Sequence, residues 1–294
     1  MMKLMGIKLF GLGIVFTSAT ITTITMPPAN AQWLNYPAPG TPLTRDGKPN
    51  LSAKTPRAPN GKPDLSGVWQ IEPPPPGEIE RLYPGIATGV GGVEGDDPRT
   101  QSPHFFNLLM DFKPGEEPIR PEAAARRLKS AQTLDSPTSR CLPYSLPNRY
   151  FADRPFKIFQ APEAIAIFYE VDGVFRQIHM DGRKLPANPF PSWLGYSTGK
   201  WEGDTLVVDT AGFNDKGWMD TRGLPRSEAL RVQERFHRRD FGHMDVESTV
   251  EDPNVLTKPV TIKFTELLIP NSDILENFCV EGERDRAHMP AGIP

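Results

Sequence analysis

The amino-acid sequence predicts an all-β protein, an antiparallel meander of about nine or ten strands that closes as a barrel or packs as a sandwich. From Phe156 onward, short runs rich in β-branched and aromatic residues alternate with turn residues at intervals of about ten residues. Residues 172–173 and 202–203, Asp-Gly and Glu-Gly, are typical of tight turns between paired strands. An open sheet of this many strands would expose two unpaired edges, so the sequence favours closure or sheet packing.

Residues 1–31 have the composition of a secretory signal peptide. Two lysines precede an apolar stretch at 9–24, and Ala-Asn-Ala at 29–31 supplies the small residues that signal peptidase reads. We therefore expect cleavage before Gln32, a periplasmic or extracellular location, and no membrane span after processing.

The remaining chain is predicted to hold a proline-rich arm and one domain. Residues 32–65 form the arm, in which the turn-forming stretch 46–52 is echoed by 60–66. Residues 66–294 form a single β-rich domain, and a loop and helix insertion interrupts it at about 73–155.

One short helix and the strands complete the predicted domain. The helix begins near Pro121, a residue suited to the first helical turn, and runs through Lys129. The predicted strands are 156–160, 164–171, 174–181, 195–201, 204–210, 229–239, 243–251, 259–268 and 273–279, with 66–71 as a candidate extra strand.

Two cysteines, Cys141 and Cys279, remain in the exported chain. In an oxidising compartment an isolated pair favours a disulfide, and separate buried thiols are the alternative. Closing so long a loop would stabilise the fold by about 4–5 kcal/mol in the chain-entropy model.

Composition and charge argue against several partner classes. The net charge is −3 and the pI about 6.0, without a block of like charges, so nothing indicates binding to nucleic acid or anionic lipid. His243, Asp245 and Glu247 alternate as metal ligands could, but arginine and histidine are predicted opposite them, which indicates a solvated charge ladder. Without a phosphate loop, dinucleotide fingerprint or haem pattern, we expect no metal and no cofactor. The oligomeric state is left open.

The turns also predict which side chains face the interior. A two-residue turn at 172–173 pairs Tyr169 with Arg176 and places both on the more apolar face of the hairpin. A three-residue loop at 240–242 places Glu234 on the inner face of the next hairpin. A carboxylate among apolar neighbours needs a partner, so Arg176 and Glu234 either orient a ligand or form a structural ion pair.

The stretch 199–215, GKWEGDTLVVDTAGFND, combines a strand pair with an unusual loop. The turn at 202–203 pairs Trp201 with Asp204. The following loop, 212–220, carries more carboxylates and tryptophan than a connector requires. Loops held by a rigid β scaffold are where binding groups collect, so this loop is a candidate ligand cover.

Six stretches of the chain carry a resemblance to known proteins: 61–69, 179–183, 195–197, 201–210, 212–215 and 240–243. In these stretches the sequence resembles a large group of uncharacterised secreted proteins that is abundant in acidobacteria and proteobacteria. The resemblance implies export and a single β-rich domain, and it implies no activity. The Gly-Val-Trp at 67–69 is also similar to the Gly-x-Trp start of lipocalin-like barrels, which would be one way to close the sheet.

A small-molecule-binding barrel is the first functional hypothesis. Arg176, Tyr169 and Glu234 would orient a partly apolar ligand inside the barrel, and loop 212–220 would cover it. The candidate ligand-binding residues are Tyr169, Arg176, Arg183, Trp201, Asp204, Asn214, Asp215, Trp218 and Glu234.

Two other functions stay open. A metal-free acid–base enzyme, whether lyase, isomerase or hydrolase, would use Asp181, Asp220 or Glu234 with His179 or Arg183 nearby. A carbohydrate or cell-envelope binding module would instead stack sugars on tryptophan rings beside hydrogen-bonding side chains. Its residues would be Trp193, Trp201, Trp218, Asp204, Asn214 and Asp220.

Overall fold

Nine strands form a closed barrel in the computed structural model, which describes residues 38–84, 98–132 and 136–279. The predicted signal peptide, 1–31, lies outside the described residues. The strands are β1 Gly67–Ile71, β2 Phe156–Gln160, β3 Ala164–Tyr169, β4 Phe175–His179, β5 Tyr196–Glu202, β6 Thr205–Ala211, β7 Arg231–Arg238, β8 His243–Glu251 and β9 Val260–Leu268. The prediction of an all-β barrel is confirmed, and the sandwich alternative is wrong.

Barrel closure joins the first strand to the last. β1 pairs with β9, where Trp69 lies opposite Leu268, so the candidate strand at 66–71 is confirmed. The strand predicted at 273–279 is wrong, because residues 272–278 have no regular secondary structure. With β1 in place, β9 has no free edge for that segment to join.

One strand pair departs from the predicted antiparallel meander. β4 and β5 are parallel, with Ile178 opposite Ser197. Parallel neighbours require a connection that returns along the barrel, and residues 180–195, which contain three prolines, supply it.

The hairpin registers differ from the predicted ones by two residues in two places. Arg176 lies opposite Ile167 instead of Tyr169, because residues 170–173 form a longer loop than the two-residue turn. Trp201 lies opposite Leu206 instead of Asp204, since the turn is at 203–204. A slip of two residues keeps every side chain on its predicted face, whereas a slip of one would have inverted the faces.

The N-terminal arm covers one end of the barrel, called here the arm end, which carries the turns at 203–204 and 240–242. Gly242 N donates to Leu51 O at 2.7 Å, and Phe241 N donates to Ala53 O at 2.8 Å. A Cβ on Gly242 would come within 2.5 Å of Leu51 Cβ, so this close backbone approach needs glycine.

The two copies of the predicted arm repeat fold into equivalent turns. Thr44 N donates to Lys48 O, and Ala58 N donates to Lys62 O, each at 2.8 Å. The second copy also reaches the barrel, because Arg57 forms a bidentate ion pair with Asp204, with distances of 2.6 and 2.7 Å.

The insertion between β1 and β2 covers the opposite end, called here the insertion end, where loops 212–230 and 252–259 lie. Its helices are α1 Glu78–Leu82, α2 Pro103–Phe106 and α3 Pro121–Ala131, and α3 confirms the predicted helix. Thr221 N donates to Phe105 O at 3.0 Å, so the insertion is bonded to the loops of the barrel.

A 3₁₀ turn of the insertion, Asn148–Phe151, enters the barrel itself. The Tyr150 ring packs against Phe156, Phe236 and Phe264, with ring centroids 5.7 to 6.2 Å apart. The barrel interior and the insertion therefore share one continuous core.

The predicted disulfide between Cys141 and Cys279 is confirmed, with Cα atoms 5.4 Å apart. It ties the insertion to the segment that follows β9. No helix in the described ranges is long and apolar enough to cross a membrane.

Candidate functional site

The centre of the barrel holds a polar cluster built around Arg176 of β4. Its Nε donates to Ser197 Oγ at 3.0 Å, its Nη1 to Tyr150 Oη at 2.8 Å, and its Nη2 to Thr210 Oγ1 at 2.7 Å. The remaining N–H of Nη1 and Nη2 donate to the two carboxylate oxygens of Glu234 on β7. All five guanidinium N–H groups thus have acceptors inside the protein.

This cluster is sealed from solvent. Arg176 and Glu234 are 2% and 0% exposed. Burial is the largest single influence on the pKa of Arg176 and lowers it, but the Glu234 carboxylate together with Tyr150 and Tyr169 raises the pKa of the guanidinium above its usual value. Tyr169 lies beside the cluster, where its hydroxyl donates to Tyr150 Oη at 3.4 Å. A ligand could reach Arg176 only by displacing one of these contacts.

A second buried carboxyl group, Glu266, lies on the inner face of β9. Its neighbours in the register are Met244 of β8 and Ile71 of β1. Neither carboxyl oxygen has a hydrogen-bond partner among the described residues, and burial raises the pKa of Glu266 well above its ordinary value. Glu266 was not among the predicted site residues, although the alternation that places Ile262 and Leu268 inside also places Glu266 there.

The end of loop 212–220 binds the insertion to the barrel through Asp220. One carboxylate oxygen accepts from Arg127 Nη2 at 2.6 Å and from Leu108 N at 3.1 Å, and the other accepts from Leu224 N at 2.9 Å. Burial raises the pKa of Asp220, and the Arg127 charge opposes that shift.

A small cavity of about 90 Å³, the loop pocket, lies between this loop and the insertion. Asn148 lines it and is only 3% exposed, and its side-chain Oδ1 has no partner among the described residues. Burial raises the pKa of Tyr144 to about 12, so its hydroxyl stays protonated. The lining residues are Ser136, Pro137, Thr138, Pro143, Tyr144, Ser145, Asn148, Trp218, Asp220 and Thr221.

A larger and more open cleft of about 440 Å³ lies where β6 ends and β7 begins. Its walls are mainly apolar, and Phe190 at its rim is 89% exposed. The lining residues are 187–191, 211–213 and 228–231.

Loop residues Asn214 and Asp215 are arranged around Arg226, which was not among the predicted site residues. Arg226 Nη2 donates to Asn214 Oδ1 at 2.7 Å, and the guanidinium lies 5.5 Å from the centroid of the Trp193 ring. Burial lowers the pKa of Arg226 to about 10, against the opposing charge of Asp215. This loop has no periodicity that would mark Arg226 as buried.

Three further candidate residues form a group on the outside of the barrel: His179, Asp181 and Arg183. Arg183 makes a bidentate ion pair with Asp181 and donates to Tyr196 Oη at 3.1 Å, while the His179 ring stacks on Tyr196 with centroids 4.8 Å apart. Hydrogen bonds from Arg183 lower the pKa of Asp181 to about 2. Burial, with the Arg183 charge, lowers the pKa of His179.

The structure therefore separates the candidate residues into several places. Arg176, Tyr169 and Glu234 meet in the core, whereas Trp218 and Asp220 meet at the insertion end. Trp201 and Asp204 lie at the arm end. Within the described ranges, no three His, Cys, Asp or Glu side chains are grouped to hold a metal ion.

Comparisons with protein-family models, with curated proteins and with solved structures found no match to this chain.

Proposed function

We propose that this protein is an exported barrel that binds a small molecule in the loop pocket at the insertion end. The observation that carries the proposal is the unpartnered Oδ1 of Asn148, a buried amide oxygen in the wall of a cavity. An unsatisfied buried polar group costs about 1–3 kcal/mol, and a bound molecule that donates to it would recover that cost.

The contacts of the barrel centre favour the loop pocket over the interior cluster. Arg176 has no free N–H, so a ligand there would have to break an existing hydrogen bond. The loop pocket instead combines the apolar surface of Trp218 with an unsatisfied acceptor, and ligand sites typically use polar groups of this kind to fix the orientation of a ligand.

The ion pairs of the candidate carboxylates favour binding over acid–base catalysis. Asp181 is held as a carboxylate by Arg183, which makes it a weak base at neutral pH. Glu234 and Asp220 are both engaged in ion pairs. A surface on which Trp201 and Trp218 together stack a sugar is also disfavoured, because these two residues lie at opposite ends of the barrel. The sequence at 1–31 and the Cys141–Cys279 bridge support export.

Native mass spectrometry of protein purified from the periplasm tests the proposal. We expect the wild type to retain a small molecule and Asn148→Leu, which removes the unpartnered oxygen at similar volume, to lose it. Ser248→Ala is the matched control, because it removes another buried oxygen without a partner, away from the pocket. Equal retention by Asn148→Leu and the wild type would overturn the placement of the ligand.

A further inference from the structure

The described residues that line the loop pocket offer a ligand no unpaired charge. Among them Asp220 is the only charged residue, and it already forms an ion pair with Arg127. The neighbouring Arg149 is also paired, with Asp172 at 2.6 Å. An ionic ligand would bring an uncompensated charge into a buried site, which is strongly unfavourable.

The remaining polar groups of the pocket are an amide and hydroxyls. Asn148 Oδ1 needs a donor. Ser136 and Thr138 share a hydrogen bond of 3.0 Å, and the Tyr144 hydroxyl stays protonated because its pKa is raised to about 12. Hydroxyl groups both donate and accept, so a hydroxyl is the group that complements this mixture.

The apolar walls and the size restrict the ligand further. The Trp218 ring and two prolines, Pro137 and Pro143, can pack against C–H groups. A volume of about 90 Å³ corresponds to roughly three water molecules, so the pocket fits a short hydroxylated end of a molecule.

We infer that the ligand of the loop pocket is an uncharged hydroxylated molecule, a polyol or the hydroxylated end of a sugar, whose O–H donates to Asn148 Oδ1. This inference rests on the proposed binding function and adds the chemical class of the ligand.

Titration with three probes of similar size tests the class. Glycerol, acetate and ethylammonium are added at constant ionic strength to ¹⁵N-labelled full-length mature protein, and the indole N–H signals are followed by NMR. Trp218→Phe assigns the Trp218 signal. We expect a saturable shift of that signal with glycerol and none with the two ions. Asn148→Leu should weaken glycerol binding about tenfold, the loss of one hydrogen bond.

The outcomes separate the two proposals. A saturable shift with acetate or ethylammonium but not with glycerol would overturn the inferred class and leave a binding pocket in place. No saturable shift with any probe would overturn the class as well, while the co-purification experiment decides on binding independently. If Asn148→Leu does not fold, Thr138→Val replaces it, and unchanged glycerol binding in that variant would contradict the inferred contacts.

Discussion

Glu234 and Glu266 both point into the same barrel and both are 0% exposed, yet their surroundings are opposite. Both carboxylate oxygens of Glu234 accept from Arg176, whereas neither oxygen of Glu266 has a partner among the described residues. Burial alone therefore does not decide what a carboxyl group contributes to stability. A paired carboxylate is costly to remove, and an unpaired carboxyl is costly to keep.

The largest expected effect is at the paired site. Glu234→Gln or Arg176→Met should each lower the free energy of unfolding by about 3–5 kcal/mol, because each leaves a buried charge alone. The double variant Glu234→Gln/Arg176→Met should recover much of that loss. Urea unfolding of the three variants measures this, with the exposed Glu202→Gln as a control. Single losses under about 1 kcal/mol would show that water already reaches the pair, and would return Arg176 to the candidate ligand site.

Sequence patterns identified Glu234 as an interior residue, but they did not identify all of the residues around it. The alternation of side chains placed Glu234, Arg176 and Tyr169 inside, and it survived a register slip of two residues because faces repeat every second residue. Tyr150 could not be found in this way. It lies in a proline-rich stretch without periodicity, and only the chain path brings it into the barrel.

The loop pocket was even less accessible to sequence reasoning. The excess of carboxylate and tryptophan in loop 212–220 identified Trp218 and Asp220, but Asn148 comes from a distant segment that gave no signal. The pairing that closes the barrel also joins segments that are distant in sequence. The segment 273–279 resembled a further strand, yet β9 pairs with β1, which lies near the other end of the chain.

At the unpaired site, Glu266→Met should stabilise the protein. Replacing the unsatisfied carboxyl with an apolar side chain of similar size removes a desolvation cost of about 1–3 kcal/mol. Urea unfolding at neutral pH checks this, with the exposed Glu251→Met as the control for a change of composition. A destabilised Glu266→Met would mean that Glu266 has a partner, such as an ordered water molecule.

The stability of the protein should also depend on pH through Glu266. Burial raises the pKa of folded Glu266, so the folded protein keeps its proton above about pH 4.3, where the unfolded chain releases it. The unfolded state then binds fewer protons, and the contribution of Glu266 to stability falls as pH rises toward its folded pKa. The advantage of Glu266→Gln over the wild type should therefore be small at pH 4 and grow toward neutral pH. A constant difference between pH 4 and 8 would contradict a raised pKa.

The smallest effect is expected from Ser248, which lies opposite Glu234 on β8 and has a buried Oγ without a partner among the described residues. Ser248→Ala removes the desolvation cost of that hydroxyl but leaves a small cavity where Oγ packed. The two effects offset each other, so the free energy of unfolding should change by less than about 0.5 kcal/mol or rise slightly. Thr210→Val is the matched control within the same cluster, because its hydroxyl accepts from Arg176 Nη2 at 2.7 Å. Losing that acceptor leaves a buried guanidinium N–H unpaired and should cost about 1–3 kcal/mol. If the two variants lose equal stability, the distinction between partnered and unpartnered groups would not hold in this core. The unpartnered Oδ1 of Asn148 would then no longer indicate a ligand in the loop pocket.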